Sequence, residues 1–148
     1  MDWSHYRFVS VWDLPGPPDT VYEILGRPDD YPCWWPQVRE VTSVDDITGT
    51  TRIRSFLPYD LVMTVRERRR DPTARVLEAA LGGDLDGWAR WTVTARDGGS
   101  RATYEQEVVV RRPLMRLLAV PGRVVFRANH ALMMRAGRRG LTARLGAV

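Results

Sequence analysis

Apolar and polar residues alternate along most of this chain, and near its end the period changes. In residues 3–14, Tyr6, Phe8, Ser10 and Trp12 share one side while Arg7, Val9, Val11 and Asp13 share the other, which predicts a strand with both faces partly apolar. Leu14-Pro15-Gly16-Pro17-Pro18 stops it, and Pro18-Asp19-Thr20 opens a short helix over 21–25 that Gly26 and Pro28 end. Asp29-Asp30-Tyr31-Pro32 allows one further turn before two adjacent indoles, Trp34 and Trp35, held between Pro32 and Pro36. From Val38 the pattern predicts strand after strand, over 38–45, 50–57, 59–69, 74–81, 88–96 and 101–111. Turn signals separate them: Thr48-Gly49, Pro58, Asp71-Pro72, Gly82-Gly83-Asp84 with Asp86-Gly87, and Asp97-Gly98-Gly99. Pro113 starts a helical piece over 114–120, and Pro121-Gly122 breaks it. Over 122–145 the apolar residues Val124, Val125, Phe126, Leu132, Met133, Met134, Leu141 and Leu145 then recur at spacings of three, four and seven, the mark of a long amphipathic helix.

Connections this short force antiparallel neighbours. The first strand, cut off by the helical segment, pairs at a sheet edge. The expected class is α+β: a seven-stranded curved antiparallel sheet wrapped around a long C-terminal helix, with two short helices after the first strand. Such a sheet twists and cannot lie flat. It curls round the terminal rod, which at about 1.5 Å per residue is roughly 36 Å long, and the gap between the two is the natural place for a cavity. Residues 1–148 read as a single ligand-binding domain.

Composition narrows the classes. At 148 residues, 44% apolar and 27% charged, the chain is large enough to bury a core without staples. It has no apolar run near membrane-spanning length and no signal-peptide layout at its start. The one cysteine, Cys33, excludes an internal disulfide and fits a reducing, cytoplasmic setting. The net charge of +4 is unevenly shared: residues 1–110 carry 13 Arg against 18 acids, whereas 111–148 carry nine Arg and no acid, and Lys is absent throughout. The basic end reads either as a solvated helix face paired with the acidic remainder or as a surface for weak contact with anionic groups. Aromatic residues are not interleaved with these arginines, which argues against nucleic acid.

Several short segments together resemble one family: Phe8-x-Ser10-x-Trp12, Pro18-x-x-Val21-Tyr22, Tyr31-Pro32-x-Trp34-Trp35-Pro36-x-Val38, Gly83-Asp84-Leu85-x-Gly87, Asn129-His130 and Gly137-x-x-Gly140-Leu141. The chain is similar to the START-like (SRPBCC, birch-pollen-allergen-like) superfamily with the helix-grip fold, in its polyketide cyclase/dehydrase and lipid-transport branch. That resemblance implies a small hydrophobic ligand, lipid-like or aromatic, in the internal cavity. It also implies an alternative, a polyketide aromatase/cyclase that steers aldol closure and dehydration without a cofactor.

The residues themselves carry few chemical motifs. Two His, one Cys and no clustered acids give no metal-ligand spacing, no Gly-rich loop precedes a phosphate-binding lysine, and no nucleophile elbow is present. The candidate catalytic groups are Arg54, Tyr59, Tyr104 and His130. Arg52, Arg54 and Phe56 share one strand face and Ile53, Ser55 and Leu57 the other, and the pattern leaves open which faces inward. An inward arginine would need Glu105, Glu107 or a ligand as partner. The expected lining is Trp34, Trp35, Phe56, Tyr59, Leu61, Met63, Trp91, Tyr104, Phe126, Asn129 and Met133. Trp34 and Trp35 read either as a wall at the cavity mouth or as a plug of the core. On the terminal helix Phe126, Asn129, Met133, Ala136, Gly137 and Gly140 form one strip, its small-residue end suited to close approach. His130 points about 100° away, placed to brace a strand. The sequence leaves the oligomeric state open.

Overall fold

The alternation near the start becomes β1 (His5–Pro15), which buries Tyr6, Phe8, Trp12 and Leu14 and exposes Arg7, Val9 and Val11. The computed structural model describes residues 5–54, 60–111 and 122–146. α1 (Pro18–Leu25) begins on a proline in its first turn and ends at Gly26. A 3₁₀ turn (Pro28–Asp30) and the single-turn α2 (Tyr31–Trp34) follow. The meander is β2 (Val38–Ser43), β3 (Thr48–Ile53), β4 (Leu61–Asp71), β5 (Val76–Gly83), β6 (Leu85–Arg96) and β7 (Gly99–Val110). α3 (Gly122–Gly146) closes the chain's described part. The helical piece expected over 114–120 lies outside the described residues.

All neighbours are antiparallel, in the order β1-β7-β6-β5-β4-β3-β2. Turn chemistry fixes the register. Asp97 and Gly98 both take positive φ, 30° and 80°, as a two-residue hairpin turn between twisted strands requires. Asp45 accepts from the backbone N–H groups of Ile47 and Thr48, and Asp71 from those of Thr73 and Ala74, side-chain mimics of a backbone turn.

The two faces of the sheet divide sharply. On the outer face a row of ion pairs crosses five strands, Glu107–Arg7–Glu105–Arg90–Glu78–Arg68, with separations from 2.6 to 3.9 Å. Cross-strand neighbours stand close enough for this at little cost in side-chain reach. Eleven arginines up to Arg111 are ion-paired in this way or at turns. Here the structure corrects one expectation. Among the described residues Arg127, Arg135, Arg138, Arg139 and Arg144 of α3 form no ion pair, although Arg138 lies near enough to Asp13 for its charge to help lower that carboxyl's pKa. Arg127 instead lies over the rings of Tyr6 and Phe8, 5.6 and 5.9 Å from their centroids, a cation–π arrangement.

On the inner face the core forms between β1 and α3. Phe126 meets Tyr6 edge-on at 4.6 Å, and the His130 ring stacks on Phe8 at 3.7 Å. The buried stripe of α3 is Phe126, Asn129, His130, Met134, Gly137 and Leu141, with Met133, Ala136 and Gly140 half-buried. It is therefore rotated toward His130 relative to the strip expected from sequence, because α3 packs on β1 as well as on α2. The small residues do allow close approach, and mainly to α2 and the residue after it. A β-carbon on Gly137 would lie 2.5 Å from the Trp35 ring and 2.8 Å from Trp12, and one on Gly140 would collide with the Trp34 carbonyl oxygen. Those contacts seat the Trp34-Trp35 pair into the helix.

Candidate ligand cavity

Away from that seat the inner face of the sheet is not covered to the same depth. A cavity of about 530 Å³ lies under β2–β6, roofed by the segment from Leu25 to Tyr31 and bounded by Trp35 and by Met133 of α3. Its walls follow from strand alternation. Thr51 and Ile53 of β3, Met63 of β4, Leu77 of β5 and Trp91 of β6 all face it and are buried. Val38 and Leu25 add to the apolar wall. Charged residues sit at the rim, among them Arg27, Asp29, Asp45, Asp46 and Arg70. Arg70 is held there by Glu67 and by the Gly26 carbonyl at 2.8 Å.

Of the side chains expected at the site, Trp35, Met63, Trp91, Tyr104 and Met133 come together on the cavity wall. Trp34, Leu61, Phe126, Asn129 and His130 are buried beside it without lining it. Phe56 and Tyr59 lie outside the described residues. The two indoles divide the roles proposed for them. Trp35 walls the cavity and donates its indole N–H to the Met133 carbonyl at 2.9 Å. Trp34 packs edge-on to Trp12 at 6.4 Å and fills the core.

Arg54 is exposed, 3.9 Å from Asp60. Arg52 is held outward by Asp60 at 3.0 Å and Glu40 at 3.3 Å. The reason is the period of two: with Thr51 and Ile53 buried, the arginines must point the other way. Glu105 and Glu107 are likewise on the outer face, occupied by Arg7, Arg90 and His5.

The polar groups at the inner end form one connected set. Tyr104 packs on Trp91, 4.7 Å between rings, and its hydroxyl donates to Gln106 Oε1 at 2.9 Å. His130 Nε2 lies 3.1 Å from the same oxygen. Tyr31, which sequence reasoning did not place at the site, lines the cavity and donates its hydroxyl to the Leu25 carbonyl at 2.5 Å. Its signal was its place in the Tyr31-Pro32-x-Trp34-Trp35 segment. Leu25, Thr51, Ile53 and Leu77 were also missed, though each sits at an alternating or helix-end position that predicts burial.

Burial pushes the pKa of both phenols, Tyr31 and Tyr104, well above the ordinary tyrosine value. For His130 burial first, and the nearby Arg127 charge second, lower the pKa from 6.5 to about 4. Removing a group from water disfavours its charged form, so all three are neutral near pH 7. Among the described residues no three His, Cys, Asp or Glu side chains group as metal ligands. No described helix is long and apolar enough to cross a membrane.

This architecture is found in known structures. The Zhui aromatase/cyclase from a Streptomyces superposes with a TM-score of 0.79 at 13% identity, covering 96% of this chain and 94% of its own. A START superfamily protein from Mycobacterium smegmatis gives 0.77 at 12% identity, covering 95% and 97%. The ginseng major latex-like protein 151 from Panax ginseng gives 0.72 at 9% identity, again covering 95% and 97%. Identities this low speak for the shared helix-grip fold. No curated protein matches the sequence. The family described as polyketide cyclase/dehydrase and lipid transport matches residues 6–146, nearly the whole chain, and the protein belongs to that family.

Proposed function

We propose that the protein binds one small hydrophobic molecule, cyclic or acyl-chain in character, in the cavity under β2–β6, with residues 1–148 acting as one cytoplasmic ligand-binding unit. The observation that carries this reading is the cavity of about 530 Å³, walled by Trp35, Ile53, Met63, Leu77 and Trp91, with two phenols at hand. A space of that size lined by apolar and aromatic side chains with few polar groups has the character of a small-molecule site. Native mass spectrometry of protein from its own host should find a co-purified lipid or aromatic metabolite. An apo mass throughout, with no uptake of added aromatic probes, would refute the reading.

A second reading, an aromatase/cyclase, draws support from the family match and from the likeness to the Zhui aromatase/cyclase. The curved apolar wall would fold a poly-β-ketone chain, and Tyr104 would meet its enolate oxygens once its proton turned from Gln106 to the substrate. Incubation with a reactive poly-β-ketone mimic should then change the ring pattern of the products, and Tyr104→Phe or Tyr59→Phe should remove the change. Product ratios identical to those of the spontaneous reaction would end this proposal.

The exposed arginines Arg135, Arg139 and Arg144 of α3 support a weaker accessory contact with an anionic surface. Its affinity for anionic vesicles should fall steeply as salt is added.

A further inference from the structure

The inner end of the cavity has a polarity that can be read by following its protons. Four cavity-lining side chains carry an O–H or N–H that is already committed to a protein acceptor. Tyr104 donates to Gln106, Tyr31 to the Leu25 carbonyl, Trp35 to the Met133 carbonyl, and Thr51 to the Glu40 carbonyl at 3.3 Å. Trp91 in turn donates its indole N–H to the Tyr31 side chain. Of the two phenols it is therefore the Tyr104 oxygen that keeps a lone pair with nothing donating to it in these bonds, and each phenol has only one proton to give. They are also close enough for Tyr31 to act electrostatically on Tyr104.

Gln106 is what fixes this arrangement. Its Oε1 sits between Tyr104 and His130, at 2.9 and 3.1 Å. An amide oxygen only accepts, so the neutral imidazole places its proton on Nε2 and Tyr104 points its own toward the same oxygen. Gln106 and His130 are themselves buried, at 4% and 9% exposure. Water does not compete for these bonds as it would at the surface.

We infer that the cavity selects a ligand bearing a hydroxyl donor, such as a phenol or alcohol, at its inner end, and that Gln106 and His130 are the positioning residues that impose this choice by holding Tyr104 as an acceptor. A ligand hydroxyl completes the Tyr104 oxygen. A ketone or ether at the same depth meets lone pair with lone pair and leaves its own oxygen buried without a partner. This rests on the reading that the cavity is a binding site.

The test uses matched aromatic probes on the full chain, followed by calorimetry: 2-naphthol, 2-methoxynaphthalene and 2-acetylnaphthalene. The naphthol should bind roughly tenfold more tightly than the ether or the ketone, the worth of one buried hydrogen bond. Tyr104→Phe, which removes a single oxygen, should bring the three affinities together. Gln106→Met frees the Tyr104 proton and should raise the affinity for the ketone, and to a smaller extent that for the more weakly accepting ether, relative to the naphthol, a change that a purely structural role would not produce. Equal affinities in the unmodified protein, or a preference for the ketone, overturn the inference while leaving the cavity a binding site. Failure of all three probes to bind removes the binding-site reading itself, and this inference with it.

Discussion

Beneath β1 and most of β7 the space between sheet and helix is filled, while beneath β2–β6 it is open, although both halves belong to one continuous sheet with one alternating pattern. The difference lies in what covers them. The first half is covered by α3, which brings Phe126, His130, Met134 and Leu141 against Tyr6, Phe8 and Trp12, and whose glycines admit the Trp34-Trp35 pair. The second is covered by short pieces, the last residue of α1, the 3₁₀ turn and α2, which reach it only through a few side chains such as Leu25, Tyr31 and Trp35, while the body of α1 packs on β6 and β7. A long helix buries a continuous stripe, whereas a chain of single turns spans a gap without filling it. The hollow half thus depends on the solid one, because the indoles locked against Gly137 and Gly140 hold up the end of the roof.

The sharpest way to break this contrast is at Gly140. In an ordinary exposed helix interior Gly→Ala stabilises by up to about 1 kcal/mol. Here the added methyl has the Trp34 carbonyl in its way. Gly140→Ala should destabilise by about 3 kcal/mol or more, beyond the range of most single substitutions, and should weaken ligand binding because the roof shifts. Urea unfolding decides it, and a stabilised variant would mean that α2 does not rest on α3.

His130 gives the next largest effect, on acidification. Its folded pKa of about 4 lies below the ordinary 6.5, so between those values the unfolded chain binds the extra proton. Stability is therefore complete above about pH 6.5 and declines as pH falls toward 4, by roughly 3 kcal/mol in all. Asp13, Asp45 and Asp71, whose pKa values are lowered, chiefly by hydrogen bonds to Arg101, Ile47 and Ala74 respectively, lose their contribution only below their ordinary value of 3.8. His130→Leu should flatten the stability profile between pH 6.5 and 4. An unchanged slope would place the imidazole in water.

The smallest effect sharpens the comparison most directly, through one substitution made in each half. Ala102 is fully buried in the solid half and Ala79 lines the cavity. Ala102→Leu should cost about 1–3 kcal/mol from overpacking. Ala79→Leu should cost under about 1 kcal/mol in the free protein and reduce probe affinity several-fold, since its added carbons take up ligand space. Equal thermal shifts for the two variants would deny the difference between the halves.

Much of this was legible before any coordinates. Strand period, turn residues and the change to helical spacing located all seven strands and the terminal helix, because those features are local. The inward faces of β4, β6 and β7 could be read in the same way, down to Tyr104 and Gln106, whereas β1 showed two partly apolar faces. Long-range pairing was less accessible. Whether Arg54 turned inward depended on which face of β3 met the core, and Ile53 decided it. That the acids would be taken by arginines of the sheet, leaving Arg127, Arg135, Arg138, Arg139 and Arg144 of α3 without ion pairs, depended on cross-strand register. Tyr31 was hidden because a residue in a one-turn helix carries no periodic signal, and its role is set by the roof it belongs to.

The polar set at the inner end has a consequence for physiology. Burial drives both tyrosines upward and the imidazole downward in pKa, so none of the three changes charge across the range from mildly acidic to mildly alkaline. An uncharged guest is then gripped alike in compartments of differing acidity, and its release does not depend on a change of charge in these three groups. The interior suits a reservoir, indifferent to proton supply, better than a sensor of it.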